Sequence, residues 1–185
     1  MEIEIGAEAK DKRLNNLVAI TVVVLSVFMG LCGVKDGNIV QNMQQAQSSA
    51  VDRWGEYQAT KTKLHIDETA LAQLNLLPGA PPAAAAAERA RLSGEIAKYG
   101  KETPELRTQA QGLQDQYDAL NVHDDQFDAS DAFISTAIAI SAVAALVESM
   151  PALYAAWLFG ACGLFMGMAG FLGWAVRSPL AQVLG

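Results

Sequence analysis

The sequence predicts an all-α membrane protein with three transmembrane helices and a long antiparallel, coiled-coil-like helical hairpin between the first and second. Three observations carry this. Leu17 to Val34 reads LVAITVVVLSVFMGLCGV without a charge. About 18 residues make roughly 27 Å of helix, near the ~30 Å hydrocarbon thickness of a bilayer. Phe133–Val147 and Tyr154–Val176 repeat that composition. Between the first two apolar blocks lies a polar arm, 35–132, whose apolar positions recur at helical intervals of three, four or seven.

The chain has 185 residues, enough for one domain on length alone, but its apolar content is gathered in blocks rather than spread with an amphipathic period. The formal net charge is −7, and Lys35 to Asp131 holds nine Lys and Arg against fifteen Asp and Glu. That balance argues against a nucleic-acid partner, because phosphate binding needs a basic face. Cys32 and Cys162 both fall inside apolar blocks, form no C-x-x-C pair and read as small packing residues.

Residues 1–16 form a polar tail in which Glu2, Glu4 and Glu8 precede Lys10, Lys12 and Arg13. The block at 17–34 reads as an uncleaved anchor. A secretory signal would have a shorter apolar core and small residues at a cleavage site, and Leu31 is too large to precede a lipoprotein cysteine at Cys32. Beyond it there is no proline until Pro78, and Trp54, Tyr57, Leu64, Leu71 and Leu74 are spaced by three and seven, as on a heptad seam. The first helix is therefore expected to continue as a stalk to about Leu76.

The segment Leu77-Pro78-Gly79-Ala80-Pro81-Pro82 stops any helix and makes 77–82 the tip. The return arm keeps the seam through Leu92, Ile96, Tyr99, Leu106, Ala110 and Leu113 to Phe127. Gly100 and Thr103-Pro104 predict a kink or short break, with Thr103 capping a restarted helix and Pro104 at its first position. The outward arm has 42 residues and the return 51, roughly 63 and 77 Å of helix, so both reach from one membrane surface to one tip. Equal heights place Trp54 opposite Leu106–Leu113 and Val40 opposite Leu120–Asp124.

The second membrane helix is expected at 133–149, the third at 153–176 and a tail at 177–185, with Glu148-Ser149-Met150-Pro151 as a tight connection. Trp157 and Trp174 lie toward opposite ends of the third block, as interfacial anchors do. Gly160, Gly163, Gly167, Gly170 and Gly173 recur every three or four residues. Such a face lets helices approach closely. It reads as an oligomerisation seam or as contact with the first or second helix, where Gly30 and Gly33 offer a matching face. Lys10, Lys12 and Arg13 before the first helix, against Lys35 alone closely after it, favour a cytoplasmic N-terminus with the arm on the other side.

Candidate chemistry is sparse. His65 with Asp67 and Glu68, and His123 with Asp124 and Asp125, are where metal ligands crowd, but the hairpin geometry sets the two histidines apart and no metal site is expected. Asp124, Asp125, Asp128 and Asp131 lack the alternation and glycine of a calcium loop and read as a solvated collar. No phosphate-binding glycine loop, Ser/His/Asp arrangement or H-E-x-x-H is present, so neither a catalytic residue nor a cofactor is expected. The three apolar blocks contain no ionisable side chain of the kind pumps and ion-coupled transporters require.

Asp52-Arg53-Trp54-Gly55-Glu56-Tyr57-Gln58-Ala59, shortly after the first membrane helix, resembles the signature of the domain-of-unknown-function 4337 family of bacterial membrane proteins. The likeness extends to the charged helical middle, to His123-x-x-x-Phe127 before the second membrane helix and to two closing membrane helices. Thr60 stands where relatives commonly carry Lys, and Met150-Pro151-Ala152 where many are basic. The resemblance implies a bacterial inner-membrane protein and assigns no activity. Physically, Trp54 and Tyr57 are one turn apart on the seam and bury large rings, while Asp52 and Gln58 are expected to hydrogen-bond the facing helix and set its register. With His123, Phe127, Gly160, Gly163, Gly167 and Gly170 they are the candidate structural or interaction residues. The expected function is a non-enzymatic scaffold in the lipid bilayer that self-associates through the glycine face and hairpin. The alternative is an accessory or regulatory subunit of a larger membrane transport, respiratory or envelope complex.

Overall fold

In a computed structural model that describes residues 2–76, 82–174 and 176, the chain forms three helices: α1 Glu2–Leu76, α2 Pro82–Leu146 and α3 Met150–Leu172. Among the described residues there is no strand. The expected tip at 77–82, apart from Pro82, and the tail at 177–185 lie outside the described residues. The chain divides into two units, Met1–Asn42 with Ala119–Gly185, and Met43–Asp118.

In the first unit, parts of all three helices pack together. Leu14 and Val18 of α1 meet Ala144 of α2 and Leu153 of α3, and Leu25 meets Ile134 and Ala137 further along. Leu14 belongs to the stretch expected as a polar tail; α1 begins at Glu2, so that stretch is the first turns of the helix and reaches the core. The outward side chains are apolar as well: Ile20, Val23, Val24, Val27 and Leu31 are all exposed. Each helix contains a stretch long and apolar enough to cross a membrane.

The α2–α3 connection and the end of α3 share one device. Glu148 takes a left-handed conformation (φ 48°), and the Ser149 amide donates back to the Ala144 carbonyl at 3.0 Å. Gly173 does the same at the end of α3 (φ 69°), with the Trp174 amide donating to the Ala169 carbonyl at 3.0 Å. These are left-handed helix stops that satisfy end carbonyls. Ser149 then caps α3 by accepting from the Ala152 amide. The third helix consequently starts earlier and ends earlier than the 153–176 expected from hydropathy, because caps rather than apolar content set its ends. Trp157 is correspondingly two turns inside α3, where its Nε1–H donates to Thr21 Oγ1 of α1 at 2.9 Å, and Trp174 lies past the helix.

Close approach of α3 is made by its glycines. A Cβ at Gly163 would lie 2.6 Å from Ile134 Cγ1 and 3.0 Å from the Ser130 carbonyl oxygen. At Gly167 it would meet the Phe28 ring at 2.6 Å, at Gly170 the Phe127 ring at 2.8 Å, and at Gly160 the Leu25 methyl at 3.2 Å. Gly30 and Gly33, read as a matching face on α1, have nothing within 4 Å of such a Cβ. The partners of the α3 glycines are the aromatic and branched side chains of α1 and α2 instead.

In the second unit α1 and α2 run antiparallel. Asn75 Oδ1 accepts from Arg89 Nε at 2.8 Å, Asp67 stands beside Glu95, and Glu56 and Thr60 share a groove with Leu106 and Gln109. Each step down one helix is a step up the other. The seam is made of small or half-buried residues: Ala46, Ala50, Thr60, Leu92 and Ala110 are buried, and Trp54, Tyr57, Leu64 and Tyr99 half-buried. No break occurs at Pro104, which lies inside continuous α2. Thr103 does not cap: its hydroxyl donates to the Tyr99 carbonyl at 2.7 Å, one turn back in the same helix. Pro104 supplies no amide for the Gly100 carbonyl, but both residues are exposed, so water can serve that oxygen.

These contacts rank the glycines. Gly163→Ala pushes a methyl into backbone and is expected to lower stability by about 1–3 kcal/mol. Gly160→Ala meets only a flexible leucine end, and Gly30→Ala meets open space, where the gain in helix propensity is up to ~1 kcal/mol. Thermal unfolding in detergent should therefore order the variants Gly30→Ala, Gly160→Ala and Gly163→Ala from most to least stable.

Candidate functional site

One face of α2 is closed off completely. Gln126, Ser130, Ile134, Ala137, Ser141 and Ala144 all have 0% exposure and follow one another at three or four residues, the period of a helix face. Buried polar groups require partners, and most of these have them. Gln126 Nε2 donates to the carbonyls of Trp174 and Val176, both at 2.6 Å, and Gln126 Oε1 lies 3.1 Å from His123 Nδ1. With Nδ1 protonated, His123 donates to that oxygen and fixes the amide so that both its N–H groups point at the Trp174 and Val176 carbonyls beyond α3. The Ser130 hydroxyl donates to the Gly163 carbonyl at 2.8 Å, and Cys32 Sγ of α1 lies 3.9 Å from its oxygen. Ser130 thus touches both neighbouring helices. The Ser141 hydroxyl is buried without a partner.

Aromatic rings fill the space that the glycines leave. Phe127 is 2% exposed and meets Phe171 edge-on at 5.2 Å, and Phe28 meets the same ring at 6.2 Å. Such edge-to-face pairs add about 0.5–1.5 kcal/mol beyond their burial.

Next to this face is a group of carboxylates. Asp36 of α1 and Asp124 of α2 stand within hydrogen-bonding reach of each other, and Asp36 Oδ1 is buried without a donor. Burial first, then the charges of Asp36 and Asp128, push the Asp124 carboxyl up to about 6. Asp128 is raised as well, by burial and then by Asp36 and Asp125. The collar expected to be solvated is therefore partly withdrawn from water, and among the described residues no Lys or Arg forms an ion pair with it.

The sequence-derived candidates fall in both units. His123, Phe127 and the four glycines lie in the first unit, where Gly163 and Gly170 face α2 and Gly160 and Gly167 face mainly α1. Within the chain Gly160 meets Leu25 and Gly167 meets Phe28 of α1, while Gly163 meets Ser130 and Ile134 and Gly170 meets Phe127 of α2. Trp54 and Tyr57 stack edge-on at 5.5 Å in the second unit, with Lys61 Nζ 5.8 Å from the Tyr57 ring centre. Asp52 and Gln58 are exposed, and among the described residues their side chains make no hydrogen bond to the facing helix. They lie a third to half a turn away from the seam. His65 is exposed and pairs with Glu68 at 3.0 Å. Among the described residues no three His, Cys, Asp or Glu side chains are grouped to hold a metal. Sequence reasoning passed over Gln126, Ser130 and Asp36. The signal was present, since Gln126 and Ser130 continue at helical spacing into the apolar row of the second block.

Fold and site together define an all-α protein of three helices, each with a membrane-length apolar stretch, tied internally by buried polar side chains. The chain belongs to the family described as Domain of unknown function (DUF4337), which matches residues 14–173. No curated protein and no solved structure matches it.

Two substitutions test the site. Gln126→Leu removes both donors from the Trp174 and Val176 carbonyls and is expected to cost about 1–3 kcal/mol, with Gln126→Glu costing more because a carboxylate then faces two carbonyl oxygens; thermal unfolding measures both. The raised Asp124 carboxyl favours the folded state while it is protonated. That stability is fully present below the ordinary carboxylate range and is lost as pH rises through about 6. The wild-type chain should accordingly melt higher at pH 5 than at pH 7.5, whereas Asp124→Asn should flatten this dependence and melt above wild type at pH 7.5.

Proposed function

We propose that the chain is a non-enzymatic integral membrane scaffold: three helices cross the bilayer, and the arm between the first two assembles with further copies. The observation that carries the membrane part is the exposed apolar girdle. Val23 and Val27 of α1 are each 61% exposed and Val34 is 70%. Leu146 of α2 and Leu158, Phe165 and Leu172 of α3 are likewise open. In water such a continuous surface would aggregate; in lipid it is the expected exterior. The scaffold part is supported by where the polar groups go. Gln126 and Ser130 tie chain segments together rather than line a cavity, and no Asp, Glu, Lys, Arg or His interrupts the apolar blocks.

The protein sits in this reading in a bacterial inner membrane, with its N-terminus in the cytoplasm and the arm in the periplasm. The basic residues Lys10, Lys12 and Arg13 before the first helix support that orientation. A second reading, an accessory subunit of a larger membrane complex, is favoured by a groove of about 310 Å³ on the arm lined by Glu56, Lys63, Glu102 and Glu105. Such a charged cleft suits a partner's polar side chains. Co-purification of a different polypeptide at fixed ratio would favour this reading over self-association.

Ala80→Cys in intact cells is expected to react with a thiol reagent that cannot cross the membrane; protection until lysis would reverse the orientation. Light scattering of the detergent-solubilised chain should give a mass above one copy. A single copy at every concentration would end the self-association reading.

A further inference from the structure

The groove of about 310 Å³ between α1 and α2 on the arm has a hydroxyl at its floor that behaves unlike its counterparts. The chain has seven threonines, all in helices. Six donate to the carbonyl four residues back, at 2.7–2.9 Å, as threonine inside a helix commonly does. Thr60 is the exception. It is only 8% exposed, and among the described residues nothing partners its hydroxyl. Its oxygen is not among the unpartnered side-chain atoms sealed from solvent, which are Asp36 Oδ1 and Ser141 Oγ. The hydroxyl therefore opens onto the groove that Thr60 lines.

With Thr60 level with Leu106, the antiparallel register orders the walls by height. Lys63 and Glu102 share the end toward Leu76, and Lys98 Nζ lies 3.8 Å from Glu102, so that carboxylate is balanced already. Glu105 comes next, beside Thr60, and among the described residues it joins no ion pair. Ala59 and Leu106 follow without charge. Glu56 and Gln109 close the other end. Arg53 holds Oε2 of Glu56 and leaves its other oxygen open; both partners are exposed, and such pairs are weak. Two carboxylates with open oxygens thus stand roughly five helical positions apart, about 7.5 Å, with apolar side chains between them.

We propose that this groove binds a linear aliphatic diamine in its doubly protonated form. Glu105 and the Thr60 hydroxyl hold one ammonium, Glu56 and the Gln109 amide oxygen hold the other, and the methylene chain lies over Ala59 and Leu106. An ammonium has three donors and no acceptor, so a carboxylate and a neutral oxygen together satisfy it. Thr60 can accept because its oxygen is committed to nothing else. The net charge of −7 raises the local concentration of a cation. A divalent metal ion needs carboxylates that converge, and these two stand apart. Every group of the site lies in the second unit, so the site goes beyond the scaffold reading and does not depend on membrane insertion or self-association.

The test is isothermal titration calorimetry of the full-length, detergent-solubilised chain with putrescine at fixed ionic strength. Saturable binding of one putrescine per chain is expected; its absence overturns the proposal. Butylamine carries a single ammonium, as a partner's lysine side chain would, and is expected to bind about tenfold more weakly or less. Equal binding of butylamine, or of magnesium ion, would reduce the effect to charge screening and overturn the diamine site. Thr60→Val and Glu105→Gln should each weaken putrescine about tenfold, with helicity unchanged by circular dichroism. Thr60→Ser, which keeps the hydroxyl, should bind as wild type does. Asp115→Asn removes an exposed acid elsewhere on α2 and should leave the affinity unchanged. Wild-type affinity in Thr60→Val or Glu105→Gln, or an equal loss in Asp115→Asn, would also sink the proposal.

Discussion

The backbone contact at Gly163 is the constraint from which the rest of the three-helix unit follows. Without a side chain there, α3 comes close enough for the Ser130 hydroxyl to reach the Gly163 carbonyl. In the membrane reading proposed above, helices in lipid gain nothing by excluding water from one another, and packing and interhelical hydrogen bonds hold them. The same approach presses Phe127 over Gly170 and Phe28 over Gly167, and brings the Trp174 and Val176 carbonyls within reach of Gln126. Moving α3 outward by one methyl's width would loosen all three contacts together.

Polarity is arranged inside out relative to a water-soluble bundle. Apolar residues cover the exterior, while the closed face of α2 holds an amide and two hydroxyls. Satisfied polar groups in such a place act as specific ties, since an unpaired amide there would be costly. The Asp36–Asp124 pair works in the opposite sense. Burial and the neighbouring carboxylates favour the protonated Asp124, so this end of the bundle is tightened by acid and loosened by base.

Much of the architecture was legible because it is written in local pattern. Uncharged blocks, a period near three and a half, and a proline-rich stretch pointed to three helices and antiparallel arms, and the steps Asn75–Arg89 and Thr60–Leu106 follow the register inferred from arm lengths. Less legible were helix ends and side-chain assignments. Hydropathy placed the third helix at 153–176, but the Ser149 cap and the left-handed Gly173 bound it at Met150 and Leu172. Thr103 looked like a cap beside Pro104, yet its hydroxyl serves the turn behind it and the helix continues. Asp52 and Gln58 share a motif with Trp54 and Tyr57 but not a face, because neighbours in sequence diverge by about 100° on a helix.

By itself the sequence determined which segments are helical and that each must bury a stripe, because these depend on propensity and periodicity within one segment. Only the tertiary structure decided which partner each stripe meets. A glycine repeat is compatible with a neighbour from the same chain or from another. Within this chain the partners are Ile134, Phe28 and Phe127, whose side chains fill the gaps at Gly163, Gly167 and Gly170.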